Sequence, residues 1–331
     1  MDAATLLKIV NFYGRFTPNY TKIGYYARGL PWGSSRPWDF SGQHWVVTGA
    51  NAGIGAAIMR TASAAGASVV AVARNAERLT AAVNALPAES AGRVTPLVAD
   101  MSLQSETDEL LGRLVADGRR IDVLMNNVGV LLNEHEVTGE EREKSFVTNL
   151  LSHYQLTEGL MEAGMFADEA TIVNMSSGGM YNVPRSIKGL NTLDPKRYSG
   201  KIAYGFHKRA QVALTNYWNR KYGDRGLRVY VTHPGWSKTP GVRFSLPTFW
   251  KIQNVLLRTP LQGGDTALWL AAERPEIGDE EVIWFDRKPR ETHIFEHTGT
   301  PLCSEEELVD YLQRELDKGG AESGDAPAES A

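Results

Sequence analysis

The chain has 331 residues, of which 42% are hydrophobic and 22% charged, and its formal net charge is −4 at pH 7. This length and apolar content suffice for one substantial core, so we expect a single main domain. The charge excludes the dense basic surface that nucleic acids require, and no run of about 18 apolar residues is long enough to span a bilayer. The lone cysteine, Cys303, excludes an internal disulfide and fits a cytoplasmic location, and no His or Cys spacing suggests a metal site.

Residues 1–40 differ in composition from the rest of the chain. They mix aliphatic and aromatic residues with five basic ones, which are opposed only by Asp2 and Asp39. The segment lacks the continuous apolar region and the small-residue cleavage site of a secretory signal. Two interpretations stay open: an N-terminal arm packed on the domain, or a cationic, aromatic segment in peripheral contact with an anionic membrane.

The segment 44–55, HWVVTGANAGIG, predicts a short buried strand at 45–47, a glycine turn, and a helix from about 53 to 65. Glycines allow a sharp turn and let a phosphate approach bare backbone. The unpaired N–H groups that open the helix carry its positive dipole end, which suits a pyrophosphate. The segment therefore predicts a dinucleotide site, whose candidate residues are Gly49, Asn51, Gly53, Ile54 and Gly55.

Beyond this turn, predicted strands alternate with predicted helices. Helical connections of this length indicate right-handed crossovers and a parallel sheet that is covered on both faces. We therefore predict an α/β fold, with a single Rossmann-like, doubly wound parallel sheet of about seven strands in a domain spanning 41–316. The acidic tail at 317–331 is poor in apolar residues and is predicted to be disordered. The further strands are predicted at 68–73, 94–98, 121–125, 170–175, 227–231 and 282–285, and further helices at 75–86, 204–222 and 263–272. Two more helices are predicted from their caps: one begins after Ser102, and the other runs from a capping box of Thr138 and Glu141 to about residue 162.

Tyr204 and Lys208 are four residues apart, so they lie one above the other on a predicted helix. The ammonium group would favour phenolate and lower the pKa of Tyr204 from about 10, so that the phenol could act as an acid or a base. Tyr217 and Lys221 repeat the spacing on roughly the opposite face, deep along the helix and away from the strand ends where active sites collect. We therefore assign Tyr217 to packing.

The order of motifs resembles the short-chain dehydrogenase/reductase family across about residues 42–290. The motifs that carry the resemblance are TGANAGIG (48–55), Asp100, NNVG (126–129), Asn149, SSGG (176–179), YGFHK (204–208) and HPGW (233–236).

The resemblance implies four catalytic residues. Tyr204 would donate a proton to a carbonyl, and Ser177, rather than the structural Ser176, would hydrogen-bond the carbonyl oxygen. Two hydroxyl donors would stabilise the charge that builds on this oxygen when hydride leaves nicotinamide. Lys208 would also hold the nicotinamide ribose, and Asn149 would support a proton relay to solvent. The remaining cofactor contacts that the resemblance implies are Asp100 with adenine, Asn126 with the cofactor and the central strands, and Thr239 with the nicotinamide carboxamide, alongside Asn75, Met101, Gly129, Pro234 and Gly235.

The end of the second predicted strand favours NADP(H) over NAD(H). Sites specific for NAD place an acid there to bind the ribose 2′-hydroxyl, and that acid repels a 2′-phosphate. Ala73 stands at this place, and Arg74 follows with a guanidinium that can grip phosphate.

One departure from the family pattern and one apolar segment bear on the substrate. The interval between Ser177 and Tyr204 is roughly twice that of many members, so segment 181–200 is expected to cover part of the site. His207 has no apparent neighbouring carboxylate and is interpreted as a bystander. Residues 236–260 mix apolar side chains with prolines, as suits a mobile lid over a lipophilic aldehyde, ketone or alcohol, although the same side chains could pack a homo-oligomer interface.

A second class of function stays open, in which the chain is a catalytically silent nucleotide-binding scaffold or a membrane-associated partner-binding protein. The intact Asn149, Ser177, Tyr204 and Lys208 argue against it.

Overall fold

In the computed structural model, which describes residues 16–32, 37–294 and 296–322, one sheet of eight strands runs through the molecule. The strands lie in the order β3-β2-β1-β4-β5-β6-β7-β8, and β1 to β7 are parallel. Chain order reverses between β1 and β4, which creates the crevice where open α/β sheets bind ligands. The strands are β1 (His44–Thr48), β2 (Ser68–Ala73), β3 (Val94–Val98), β4 (Ile121–Asn126), β5 (Phe166–Met175), β6 (Arg228–Thr232), β7 (Val282–Phe285) and β8 (Lys288–Glu291).

The predicted doubly wound α/β fold is confirmed, and β2, β3 and β7 have the predicted bounds. The eighth strand is an addition. Strand β8 pairs antiparallel with β7 at the sheet edge, and all four of its residues are exposed. Its sequence, KPRE, has no apolar alternation, so no strand was predicted there; the neighbouring strand imposes the conformation.

Helices cover both faces of the sheet. One core lies between the sheet and helices α2, α3 and α10, and the other between the sheet and helices α5, α6, α7 and α12. The helices are α1 (Lys22–Gly29), α2 (Gly53–Ala64), α3 (Ala76–Asn84), α4 (Ala88–Ala91), α5 (Gln104–Asp117), α6 (Lys144–Phe146, Val147–Leu151 and Ser152–Glu162 in succession), α7 (Gly200–Tyr222), α8 (Pro240–Ser245), α9 (Pro247–Gln253), α10 (Pro260–Glu273), α11 (Glu296–Gly299) and α12 (Glu305–Glu322). None of the helices in the described ranges has the length and apolarity needed to cross a membrane.

The predicted capping box of helix α6 is wrong. Thr138 accepts N–H bonds within a tight turn, and Glu141 has a φ of 55°, so the helix does not begin there. It begins at Lys144, where the carboxylate of Glu143 accepts the N–H groups of Ser145 and Phe146 at 2.8 and 2.7 Å. The cap is therefore a buried glutamate next to the helix.

The predicted Ser102 cap of helix α5 is also wrong, because the cap comes from a distant part of the chain. The helix begins at Gln104, and the N–H groups of Gln104 and Ser105 donate to the carboxylate of Glu140 at 2.6 and 3.0 Å. Spacing along the chain cannot reveal such a cap.

The prediction that the disordered tail begins at residue 317 is wrong. Helix α12 continues through Glu322, so residues 317–322 are helical. Residues 323–331 lie outside the described residues, as do residues 1–15 and 33–36 of the N-terminal arm.

The described part of the arm lies against the carboxyl-terminal third of the domain. The Arg28 side chain of helix α1 donates to Asp286 at 2.6 Å. Both terminal nitrogens of Arg258 reach the same carboxylate, at 2.6 and 2.9 Å, and its Nε donates to the Tyr20 carbonyl at 3.0 Å. One buried carboxylate thus holds the arm and the segment before helix α10 together.

We expect Asp286→Asn to lower the free energy of unfolding by roughly 3–5 kcal/mol, because it leaves the buried Arg258 guanidinium without its counter-charge. Asparagine tolerates the positive φ of 51° at this position, so backbone strain does not contribute. Urea unfolding measures the change. The control is Asp117→Asn, whose exposed pair with Arg119 is worth at most about 1 kcal/mol; an equal loss in both variants would contradict the assignment.

Candidate active site

The glycine turn between β1 and α2 forms one wall of the crevice. Gly53 has a φ of 57°, which a residue with a side chain rarely adopts, and a Cβ on Gly55 would collide with the Gly49 carbonyl. The Thr48 hydroxyl accepts the N–H groups of Asn127 and Val128 at 2.9 and 3.0 Å. The turn is therefore fixed to the end of β4, with bare backbone and the N-terminus of α2 at the crevice.

The predicted cofactor residues on the first strands take different positions. Arg74 is exposed after the buried Ala73 and has no hydrogen-bond or ion-pair partner among the described residues. Asn75 uses its side-chain oxygen to cap helix α3 through the Arg78 N–H, at 2.8 Å. Asp100 accepts the Ser102 N–H at 3.0 Å. Asn51 and Ile54 are half-buried in the turn, and Met101 is buried behind Asp100.

Asn126 does not face the crevice. Its side chain is fully buried and donates to Thr157 at 3.1 Å and to Asn174 at 3.0 Å, so it ties β4 to β5 and to helix α6. The sequence implied that Asn126 contacts both the cofactor and the central strands, and the structure shows the contact with the strands. The Oδ1 atom has no partner among the described residues.

Ser177 and Tyr204 meet above the end of β5. The ring of Tyr204 lies against Gly179, where a Cβ would come within 3.2 Å, and the Ser177 hydroxyl lies near its phenol. Burial raises the pKa of the phenol, and only the nearby Ser177 hydroxyl opposes this rise. The expectation that Lys208 lowers the pKa of Tyr204 is thus wrong for this structure, because desolvation determines the direction of the shift.

Lys208 is buried beneath Tyr204 with no carboxylate partner among the described residues. Its Nζ donates to the Met175 carbonyl at 2.8 Å and to Gln211 Oε1 at 3.3 Å, and it lies 5.6 Å from the centre of the Tyr204 ring. Burial lowers the pKa of the ammonium to about 7. The Ser176 hydroxyl donates to the Lys208 carbonyl at 2.8 Å, as suits its predicted structural role.

Asn149 closes the other side of this cluster. It lies in the π-helical stretch of helix α6, and its side chain bonds both backbone groups of Val130, at 2.7 and 2.8 Å. Gly129 lies between Asn149 and Lys208, since a Cβ there would come within 3.3 Å of both side chains. The four predicted catalytic residues therefore converge at one end of the sheet.

Gln211 is a central residue that the sequence analysis missed. Its Nε2 donates to the Asn149 carbonyl at 2.8 Å and lies 2.9 Å from His153 Nδ1, while its Oε1 accepts from Lys208. The spacing of three from Lys208 on one helix could have revealed it. A buried polar chain thus joins the lysine to helix α6.

The interpretation of His207 as a residue without a neighbouring carboxylate is wrong. Its Nε2 lies 4.0 Å from the buried Glu143 carboxylate and donates to the Leu190 carbonyl at 2.8 Å, while its Nδ1 lies 3.4 Å from Asn149 Nδ2. Burial lowers the pKa of the imidazole to about 4, so it is neutral at neutral pH. His207 joins the inserted segment 181–200 to Asn149.

The HPGW loop and helix α8 border the crevice beside the glycine turn. Pro234 and Gly235 follow β6, and a Cβ on Gly235 would collide with Arg258. The Thr239 hydroxyl caps helix α8, and the Thr239 side chain lies against Gly53, where a Cβ would come within 3.2 Å. An open depression of about 590 Å³ extends from there; it is lined by Lys238, Thr239, Pro240, Arg243, Phe244 and Trp250.

The short chain dehydrogenase family model matches residues 43–247, and the chain belongs to this family.

Two curated relatives match nearly the whole chain. Dehydrogenase/reductase SDR family member 12 of Bos taurus is 32% identical over 319 residues, which are 93% of this chain and 97% of that protein. Its counterpart from Homo sapiens is 31% identical over 94% of this chain and 98% of its own length. Retinol dehydrogenase 13 of Homo sapiens is 27% identical over 73% of this chain and 75% of its own length.

Solved structures share the fold. A short chain dehydrogenase/reductase family protein has 25% identity and a TM-score of 0.53 over 71% of this chain and 92% of its own. A short chain dehydrogenase from Burkholderia cenocepacia J2315, solved in complex with NADP, has 21% identity and a TM-score of 0.57 over 70% of this chain and 91% of its own.

Replacing a lysine of helix α7 by methionine should change the free energy of unfolding in opposite directions at the two positions Lys208 and Lys221. Lys208 is buried, and its lowered pKa means that folding costs free energy at pH values where the unfolded lysine is charged. This cost is full below pH 7, shrinks as pH rises from 7 to 10.5, and then vanishes. Lys208→Met should therefore raise the unfolding free energy by roughly 1–3 kcal/mol at pH 6 and by less at pH 9.

Lys221, the lysine of the second Tyr-x-x-x-Lys pair, is the matched control. Burial alone would lower its pKa, but hydrogen bonds to Tyr222 and Glu158 outweigh burial and raise it. Lys221→Met should lower the unfolding free energy by at most about 1 kcal/mol. Urea unfolding at pH 6 and pH 9 tests both, and destabilisation by Lys208→Met at pH 6 would contradict the analysis.

Proposed function

We propose that the protein is an NADP(H)-dependent oxidoreductase that interconverts a carbonyl and an alcohol on a small-to-medium lipophilic substrate. The observation that carries the proposal is the convergence of Ser177 and Tyr204 above the end of β5, with Lys208 and Asn149 beside them and the glycine turn across the crevice.

In the direction of reduction, the oxygen of the substrate carbonyl becomes negative as hydride reaches its carbon. Tyr204 donates its phenolic proton to this oxygen, and Ser177 donates a hydrogen bond to it. Both interactions are stronger in the transition state than in the ground state, which is the condition for catalysis. The protonated phenol, whose pKa burial raises, is the form that this direction needs.

Lys208 and Asn149 support the phenol from below. Lys208 holds its ammonium between Met175 and Gln211, 5.6 Å from the centre of the Tyr204 ring, where it can bind a ribose hydroxyl. Asn149 holds the backbone at Val130 and, through its carbonyl, Gln211. The hydrogen-bonded series of Lys208, Gln211 and Asn149 supports the proton relay to solvent from which the phenol regains its proton.

The residues at the crevice fit NADP(H). The turn offers unshielded backbone and the N-terminus of helix α2 to a pyrophosphate. Arg74 follows the buried Ala73, and its guanidinium, which has no partner among the described residues, is available for the 2′-phosphate. Gly129 and Gly235 border the crevice, and Thr239 lies above the turn. When bound, the nicotinamide would supply or accept the hydride.

The lid supports a lipophilic substrate. The depression that starts at Thr239 is flanked by Phe244 and Trp250, and Trp236 packs on Phe249 at 4.9 Å beside it. Aromatic walls at the entrance favour an apolar carbonyl compound over a strongly hydrated one.

Tyr204→Phe should lower kcat by roughly a hundred- to ten-thousand-fold while leaving the NADPH dissociation constant within about twofold, because it removes the transferable proton but leaves the glycine turn unchanged. The control is Tyr217→Phe, whose ring packs on the core with Lys221 at 5.3 Å. A screen of aliphatic and aromatic aldehydes and ketones, followed through NADPH absorbance, supplies the assay. Equal losses in both variants would show that the wrong tyrosine was chosen. A wild type that binds NADPH but turns over none of these compounds would favour the silent scaffold.

Arg74→Ala should weaken NADPH binding by about ten- to a hundred-fold and NADH binding little, since hydrogen bonds to a charged group contribute roughly 1.5–3 kcal/mol. The control is Arg60→Ala, which removes an exposed arginine from helix α2. Titration of both cofactors against all three proteins measures the dissociation constants. A wild type that prefers NADH, or an Arg74 variant that loses both cofactors equally, would overturn the NADP(H) assignment.

A further inference from the structure

Two segments that are distant in sequence form one surface without acidic side chains. Residues 16–32 contain no Asp or Glu, and neither does the lid at 236–260. They join directly, because the Lys22 N–H donates to the Leu256 carbonyl at 3.0 Å and the Trp236 N–H donates to the Tyr20 carbonyl at 2.8 Å. We call this surface, formed by 16–32 and 236–260, the acid-free face.

Exposed apolar side chains concentrate on this face. Six large apolar residues in the described part of the chain are more than 60% exposed, and five of them belong to it. Scattered single exposures are normal, but such a concentration marks an interaction site. The five are Tyr26 (61%), Leu30 (83%), Phe244 (78%), Ile252 (67%) and Val255 (72%), and the sixth is Leu302 (69%).

Helix α1 is oriented with its apolar stripe outward. Ile23 and Tyr26 of the helix and Leu30, the residue directly after it, are spaced by three and four residues, so they share one side, and all three are exposed. Its opposite side carries the buried Gly24 and the polar head of Arg28, which is paired with Asp286. A surface helix of a soluble domain normally shows the reverse pattern. This helix is therefore built to place an apolar side against something outside the domain.

The charges of the face identify its partner. The buried Asp286 neutralises Arg28 and Arg258. The other four cations of the face form no ion pair with a described residue; they are Lys22, Lys238, Arg243 and Lys251. Unpaired cations beside exposed aliphatic and aromatic side chains match the interface of a bilayer that contains anionic lipid.

We propose that the acid-free face docks on an anionic lipid bilayer. The face includes Arg243, Phe244 and Trp250, which line the depression that leads to Thr239 and the glycine turn. Docking therefore places the mouth of the depression at the apolar layer. On the proposed function, a lipophilic carbonyl compound dissolved in the bilayer then enters the crevice without crossing bulk water.

The binding test is flotation of the full chain with vesicles of phosphatidylcholine alone or mixed with an equal part of phosphatidylglycerol. We expect flotation only with the mixed vesicles and its loss at high salt. The double variants Ile252→Ser/Val255→Ser and Lys22→Glu/Lys251→Glu should each reduce the bound fraction at least fivefold. The matched controls, Leu302→Ser and Arg60→Glu, remove an equally exposed apolar residue and an exposed cation elsewhere and should float like the wild type.

Three outcomes would overturn the docking proposal. The first is equal flotation with both kinds of vesicle, or none with either. The second is wild-type flotation of both double variants, which would place the lipid contact outside the acid-free face. The third is a dimer in sedimentation velocity that the double variants dissociate, which would make a second copy the occupant.

Activity separates this proposal from the proposed function. The double variants change residues outside the depression, so they should reduce a water-soluble aldehyde at the wild-type rate in the absence of vesicles. With a long-chain aldehyde dissolved in mixed vesicles, their rate should fall in parallel with the bound fraction. If the wild type floats as expected but reduces neither aldehyde, the proposed function is refuted and the docking proposal stands. If wild type and variants reduce the vesicle-borne aldehyde at equal rates, delivery of the substrate from the membrane is refuted.

Discussion

The buried ammonium of Lys208 determines how helix α7 lies on the sheet. It donates to the Met175 carbonyl at 2.8 Å, and the Ser176 hydroxyl donates back to the Lys208 carbonyl at the same distance. Two consecutive residues at the end of β5 thus hold the lysine at both ends. Ser177 comes next along the chain, and Tyr204 lies one helical turn before Lys208, so this pair of bonds brings the serine and the phenol together. Among the described residues this buried cation has no carboxylate partner, so it lowers the stability of the fold. Proteins retain such a cost where function needs it.

The lysine is supported by a polar network that extends far from the crevice. Gln211 joins Lys208 to Asn149, and His207 joins Asn149 to the inserted segment through Leu190. Glu143, which caps helix α6, lies 4.0 Å from His207. Buried polar groups are costly when unpaired, so a largely satisfied network of this kind fixes a single arrangement of the helices around the site.

Several of these features were predictable because they depend on local patterns. The alternation of apolar strands and amphipathic helices predicted the sheet, and β2 and β3 have the predicted bounds. The caps were not predictable, since Glu140 caps helix α5 from a distant part of the chain and Glu143 replaces the expected Thr138 box. Gln211 was overlooked because a glutamine in a helix has no chemical signature of its own until its partners are known.

The sequence by itself determined the doubly wound α/β fold, the family, and the order in which the glycine turn and the candidate residues follow the strands, because these features are encoded in periodicity and spacing. Only the tertiary structure decided the electrostatics. Tyr204 and Lys208 have the expected spacing, yet burial raises the pKa of the phenol and lowers that of the ammonium. The acid-free face likewise exists only once the fold brings residues 16–32 and 236–260 together. Desolvation and long-range contacts depend on which groups surround a side chain in space, and sequence neighbours do not specify that.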